Sequence, residues 1–231
     1  MEITTLENEY NIAKKTTSFA QHQKFIKLLL SSNEHEIVNH HFSLIKNRDN
    51  WNLYLRVRAA FKKRGSIAEK FLIDRIKNET DPNLQADALH LLGELNSKEA
   101  IPISRDFIKR RDPEHREKAC YVLGWLGTED DIDILGDRLL NDPDADIRAT
   151  AATALDQVRL RLPKTKRQLL INLRQALEKE TDEEVTAWII ITIQYIMEKK
   201  FGLKENIEEA EWTGDVDRAK KRALRALEGI T

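Results

Sequence analysis

The sequence predicts an all-α chain, an α-α superhelix of helical hairpins stacked in a row. Three observations predict it. The stretch from Asp81 to Val158 repeats itself at a spacing of about 31 residues, which is the mark of a repeat architecture. Each copy contains Asp-Pro and then apolar residues recurring with the 3.6-residue period of one helix face. Only 8 Gly and 5 Pro occur in 231 residues, and no valine- or threonine-rich alternation marks a strand.

The copies open as DPNLQADALHLLGEL from Asp81, DPEHREKACYVLGWLG from Asp112 and DPDADIRATAATALDQV from Asp142. An aspartate there accepts a hydrogen bond from a free amide of the first turn, and a proline follows where its missing N–H costs nothing, so each pair is expected to start a helix. With Gln85, Arg116 and Arg148 aligned, Ala88, Ala119 and Ala151 fall together, as do Leu92, Leu123 and Leu155. AIPISRDFIKRR from Ala100 and DIDILGDRLL from Asp131 read as the partner helices, making each unit a hairpin. A lone hairpin cannot bury its apolar stripe, and stacking on its neighbours does.

Ile147, Arg148, Ala151, Ala152, Ala154 and Leu155 after Asp142-Pro143, with their weaker echoes, resemble the HEAT-type repeat, in particular the short phycobilin-lyase-like form. NWNLYLRVRAAFKKRG from Asn50 and TDEEVTAWIIITIQYI from Thr181 read as degenerate copies, Trp188 standing where the small alanine is expected. Terminal repeats are commonly atypical. The resemblance implies one solenoid over residues 1–231: capping helices in 1–48, the clearest repeats in 49–158, and degenerate repeats with a cap in 159–231. Residues 198–214 read either as an ordered lid or as a loose connection before a last helix around Asp215 to Leu227, Trp212 suggesting some anchoring.

Lys and Arg nearly balance Asp and Glu overall, for a net charge of −1, but residues 81–158 hold nine basic against seventeen acidic side chains. Glu129, Asp130, Asp131, Asp133 and Asp137 read as an acidic patch, either charge favoured by helix N-termini or a docking ridge for a basic partner. Basic clusters flank it, Arg56, Arg58, Lys62, Lys63 and Arg64 on one side and Arg159, Arg161, Lys164, Lys166 and Arg167 on the other. Nucleic-acid binding wants such clusters joined in one stripe. The acid between them favours solvated faces and ion pairs between repeats. The single cysteine, Cys120, reads as a small buried hydrophobe. The N-terminus lacks the apolar segment of a signal peptide and no stretch is long enough to span a membrane, so a cytoplasmic protein is expected.

In HEAT-like stacks the second helix of each hairpin lines the concave side. The resemblance therefore implies a stripe of outward positions at His90 and Glu94, Tyr121 and Trp125, Thr153 and Gln157, and Ile190 and Gln194, with Lys63 one unit earlier. Tyr121 and Trp125 are the side chains of an interface anchor; Trp125 packed against a neighbouring helix is the competing reading. HEIVNHH from His35 places Asn39 where a zinc-binding HExxH needs its second histidine, and His40 falls one residue beyond. Those histidines read as a surface cluster. No Gly-rich phosphate loop, nucleophile elbow or Cys-containing metal spacing occurs in the sequence, and no cofactor, metal or small-molecule substrate is expected.

These features predict a non-catalytic protein-binding solenoid. Its sharpest form is a bacterial immunity protein that holds a basic toxin domain, since HEAT-like chains occur among such antidotes. An alkylpurine DNA glycosylase of HEAT-like class and a bilin lyase or chaperone-like adaptor are the alternatives. The first needs a basic cleft and the second a pigment pocket.

Overall fold

The computed structural model describes residues 2–206 and 211–230. The fold class is the expected one: all-α and HEAT-like, helix after helix packed in succession, with one small two-stranded ribbon among the described residues. The chain divides into two units, residues 1–97 and 98–231.

The first unit holds α1 (Ile3–Lys14), α2 (Phe19–Leu29), α3 (His35–Ser43), α4 (Trp51–Lys62), α5 (Ser66–Asn78) and α6 (Pro82–Glu94). Its centre is aromatic. The ring centroids of Phe42, Phe61 and Phe71 lie 5.6 to 5.9 Å apart at steep angles, the arrangement that ring quadrupoles favour. Two arginines of the first basic cluster, expected on solvated faces or in ion pairs between repeats, are buried. Arg64 donates to Leu29 O, Ser32 O, Asn33 Oδ1 and His41 Nδ1 at 2.7 to 3.1 Å, closing the end of α2 and the turn after it. Arg58 donates to Tyr54 Oη and to Glu94, which also pairs with Lys62. Arg56 lies over the Phe19 ring. The cluster is therefore mostly internal wiring, a reading open to any arginine with partners far away in sequence.

The histidines of α3 separate. His35 is exposed and His40 half-buried, whereas His41 is wholly buried, with Nε2 donating to Val57 O and Nδ1 accepting from Arg64. Among the described residues no group of three His, Cys, Asp or Glu side chains is placed to hold a metal ion.

The second unit holds α7 (Ala100–Phe107), α8 (Pro113–Leu126), α9 (Asp131–Asn141), α10 (Ala145–Arg161), α11 (Lys166–Lys179), α12 (Glu183–Met197), β1 (Lys204–Asn206), β2 (Glu211–Thr213) and α13 (Val216–Ala226). Residues 198–214, for which a lid and a loose connection were both open, carry an antiparallel ribbon pairing Glu205 with Trp212; its tip lies outside the described residues. Ala119, Leu123, Ala151 and Leu155 are fully buried, as the repeat requires, and so is Cys120. Gly124 permits the close approach of α8 and α10, because a Cβ there would sit 3.1 Å from the backbone of Ala154.

The Asp caps recur as expected, with one correction. Asp81 accepts from Asn83 N and Leu84 N, and Asp112 from Glu114 N. In the third copy the cap is Asp144 and not Asp142, so α10 starts two residues after the Asp-Pro pair. Asp142 ends α9 instead, and is buried. It takes Arg116 Nε and Nη2 at 2.8 and 3.0 Å and Arg138 at 3.4 Å. Asp182 and Asp215 cap α12 and α13.

Leu123→Ala is expected to cost about 2–5 kcal/mol of stability, measured by chemical denaturation, because the vacated space lies between packed helices. Removing one partner of the Arg116–Asp142 pair, as in Asp142→Asn, strands a buried charge and should cost about 3–5 kcal/mol. Burial, assisted by the Arg64 charge, brings the His41 pKa down from 6.5 to about 3. Between those values the unfolded chain binds the extra proton, so stability falls as pH drops below about 6.5, and His41→Gln should flatten that slope in pH-dependent denaturation.

Candidate partner-binding groove

The N-caps set a common ruler along α6, α8, α10 and α12. Seven residues beyond each cap stand Ala88, Ala119, Ala151 and Ile189, all fully buried. Nine and thirteen residues beyond stand His90 and Glu94, Tyr121 and Trp125, Thr153 and Gln157, then Ile191 and Tyr195. The last pair shifts the expected stripe by one residue: Ile190 and Ile191 are both buried, and it is Ile191 that lines the groove described below. Gln194 is committed to the ribbon, its Oε1 accepting from Phe201 N at 2.7 Å and its Nε2 donating to Leu203 O. Lys63, His90 and Glu94 belong to the first unit. Lys63 is exposed there, His90 is half-buried and Glu94 holds Arg58 and Lys62.

In the second unit the stripe residues Tyr121, Thr153, Gln157, Ile191 and Tyr195 line a groove, and Trp125 stands outside that lining. One part, of about 350 Å³, is bounded by Tyr121, Asp146, Thr150, Thr153, Glu184, Trp188 and Glu205. The adjoining part, of about 360 Å³, runs on past Thr153, Trp188 and Glu205 to Asp156, Gln157, Ile191 and Tyr195. Sequence reasoning missed Trp188, Tyr195 and Glu205 as lining residues. Counting from the Asp182 cap would have found Tyr195. Nothing local announces Glu205, which reaches the groove only because the ribbon packs beside α12.

Aromatic faces and fixed carboxylates make up its chemistry. Tyr121 and Trp125 stack with ring centroids 6.0 Å apart, and the Lys118 ammonium stands 5.5 Å from the Tyr121 centroid. Burial raises the Tyr121 pKa, so its hydroxyl stays protonated. Tyr195, 42% exposed, donates to Glu205 at 2.5 Å, and that bond lifts its pKa to about 12. Asp156 is paired with Arg159 at 2.7 Å. Thr192 and Thr153 turn their hydroxyls onto the backbone carbonyls of Ala152 and Thr150.

The expected acidic patch loses one member to the interior. Asp131 is fully buried, accepting from Arg105 Nε and Nη2 at 2.7 and 3.0 Å and from Thr128 N at 2.7 Å. Burial pushes its pKa up, but those donors overcome it and hold the carboxyl below its ordinary value. Glu129, Asp130, Asp133 and Asp137 are exposed, Asp133 accepting from Gln168 and Asp137 from Arg138 and Asn141. Of the second basic cluster, Arg161 donates to Gly124 O and Gly127 O at 2.9 to 3.2 Å and ties α10 to the end of α8. A larger opening of about 580 Å³ lies by the starts of α12 and α13. It has no aromatic lining, and its Lys220 ammonium is held by Glu180 O at 2.7 Å.

No helix among the described residues is long and apolar enough to cross a membrane. No curated protein matches the chain. A family model described as HEAT repeats matches residues 69–156, under half of the chain, and covers α6 to α9 with most of α5 and α10. That stretch is therefore similar to HEAT repeats, helical scaffolds that commonly mediate protein interactions.

Proposed function

We propose that this chain is a non-catalytic protein-binding solenoid of the short, phycobilin-lyase-like HEAT form, and that the groove across α8, α10 and α12 holds a segment of another protein. The observation that carries this reading is the grouping of Tyr121, Trp188 and Tyr195 along one open groove across three helices. Amphipathic rings of this kind bring large contact area at small entropic cost, which makes them the usual interface anchors. A non-catalytic role is supported by how the polar groups are employed: Asp156 holds Arg159, Glu205 holds Tyr195, and two of the threonine hydroxyls are bonded to backbone.

The finer reading, an immunity protein that occupies a basic toxin domain, is supported by the carboxylates Asp146, Glu184 and Glu205 around the groove. The same charges oppose a nucleic-acid backbone and so disfavour the glycosylase alternative.

A photo-crosslinking side chain at the exposed Gln157 should capture one defined protein from the source cells, whereas the same group at Lys164 should not. Capture that is equal at both positions removes the groove assignment. The double variant Tyr121→Ala, Trp125→Ala should keep its helical circular dichroism and lose that capture. For the toxin reading, the captured protein must arrest growth when produced alone and cease to do so when this chain is coexpressed; a captured protein harmless by itself removes that reading.

A further inference from the structure

The groove's charge and its aromatic lining together specify more than a generic protein partner. Four carboxylates, Asp146, Asp156, Glu184 and Glu205, line the two parts of the groove against one guanidinium in that lining, Arg159, which is bound to Asp156. Three negative charges are left without a cation among the described residues. Glu205 is fixed in place by the Tyr195 hydroxyl, and Asp146 and Glu184 stand exposed in the first turns of α10 and α12 and line the same part of the groove as Trp188. Between the charges lie the rings of Tyr121, Trp188 and Tyr195, whose negative faces attract a cation in the same way as a carboxylate does, though more weakly. The surface already accepts such a guest from its own chain, since the Lys118 ammonium lies over the Tyr121 ring.

Resting on the protein-binding reading above, we propose that the groove's occupant is an extended segment of a partner protein that presents arginine or lysine side chains, a cationic head seated on Trp188 within reach of Asp146, Glu184 and Glu205. A guanidinium suits this place best. Its planar fork can meet a carboxylate edge-on while its face stacks on an aromatic ring, and it sheds water more readily than an ammonium does. An acidic or purely apolar segment would meet three uncompensated carboxylates on entering, and would pay for their desolvation without return.

The test begins with a library of random short peptides displayed on phage and selected against the full chain. Winners are then synthesised with each arginine kept or exchanged for neutral citrulline, and titrated by tryptophan fluorescence. The proposal expects winners enriched in arginine and lysine, affinity that falls with added salt, and a loss of about tenfold or more on citrulline exchange and again in the variant Asp146→Asn, Glu184→Gln. Those two residues are exposed and make no ion pair among the described residues, so the variant should keep its fold, checked by circular dichroism. Winners that are displaced by Trp188→Ala yet carry no basic bias, or whose citrulline forms bind equally well, overturn the cationic assignment and leave the groove's role as a protein site standing. Winners that ignore Trp188→Ala and the double variant alike overturn both readings.

Discussion

Arg116 is the side chain on which the second unit most depends. It reaches back with Nη1 to the carbonyls of Arg110 and Arg111 in the turn after α7, and forward with Nε and Nη2 to both oxygens of Asp142 at the end of α9. One planar fork thus satisfies carbonyls left over where a helix ends and joins that turn to the next hairpin. The device repeats. The carbonyl of Asp142 accepts from Arg148, Arg148 grips both oxygens of Glu180, and the carbonyl of Glu180 accepts from Lys220 of α13. Each carboxylate holds the cation before it while its own carbonyl holds the cation after it. Burying an ion pair is costly, and such pairs persist where the geometry is good and the remaining donors and acceptors are bonded, as they are here.

This ladder has a consequence for the opposite side of the same helices. Arg116 and Arg148 each stand four residues past an N-cap, so anchoring them fixes both the rotation and the rise of α8 and α10. Residues nine and thirteen past the caps are then delivered to one common face. Part of the groove's lining follows from that: Tyr121 on α8 and Thr153 and Gln157 on α10 stand on helices pinned at equivalent points.

Much of this was open to sequence reading, and what escaped has physical causes. The buried alanines and leucines recur with helical period, and Asp81 and Asp112 are caps because their chemistry is local, settled within three residues. Asp142 misled for the same reason. Its Asp-Pro pair is locally a good start, but a buried Arg116 takes the carboxylate, and the cap passes to Asp144. The burial of Arg58, Arg64 and Asp131 was not legible because their partners lie far off in sequence, Glu94, Leu29 and Arg105 among them. The slip from Tyr195 to Gln194 came from aligning Trp188 with a small alanine, when the Asp182 cap places Ile189 there. Glu205 was beyond reach, since a short ribbon with polar, exposed strands leaves no periodic trace.

The fate of the acid explains why a few carboxylates in the groove carry so much weight. Residues 81–158 hold an excess of acid, yet Asp81, Asp112 and Asp144 are spent on helix caps, Asp131 and Asp142 on buried pairs, and Asp137 and Asp156 on arginines beside them. A negative charge bonded to amides or matched to a guanidinium has little attraction left for a visitor, so net charge over a segment is a poor guide to what the segment binds. What counts is the residue of charge after internal pairing and where the fold puts it. Here Asp146, Glu184 and Glu205 come from two helices and a strand and meet around one tryptophan. Charges gathered from three separate elements at an aromatic face are not needed to close any helix end but those of Asp146 and Glu184, whose neighbours Asp144 and Asp182 already do so. Their attraction is therefore directed outward.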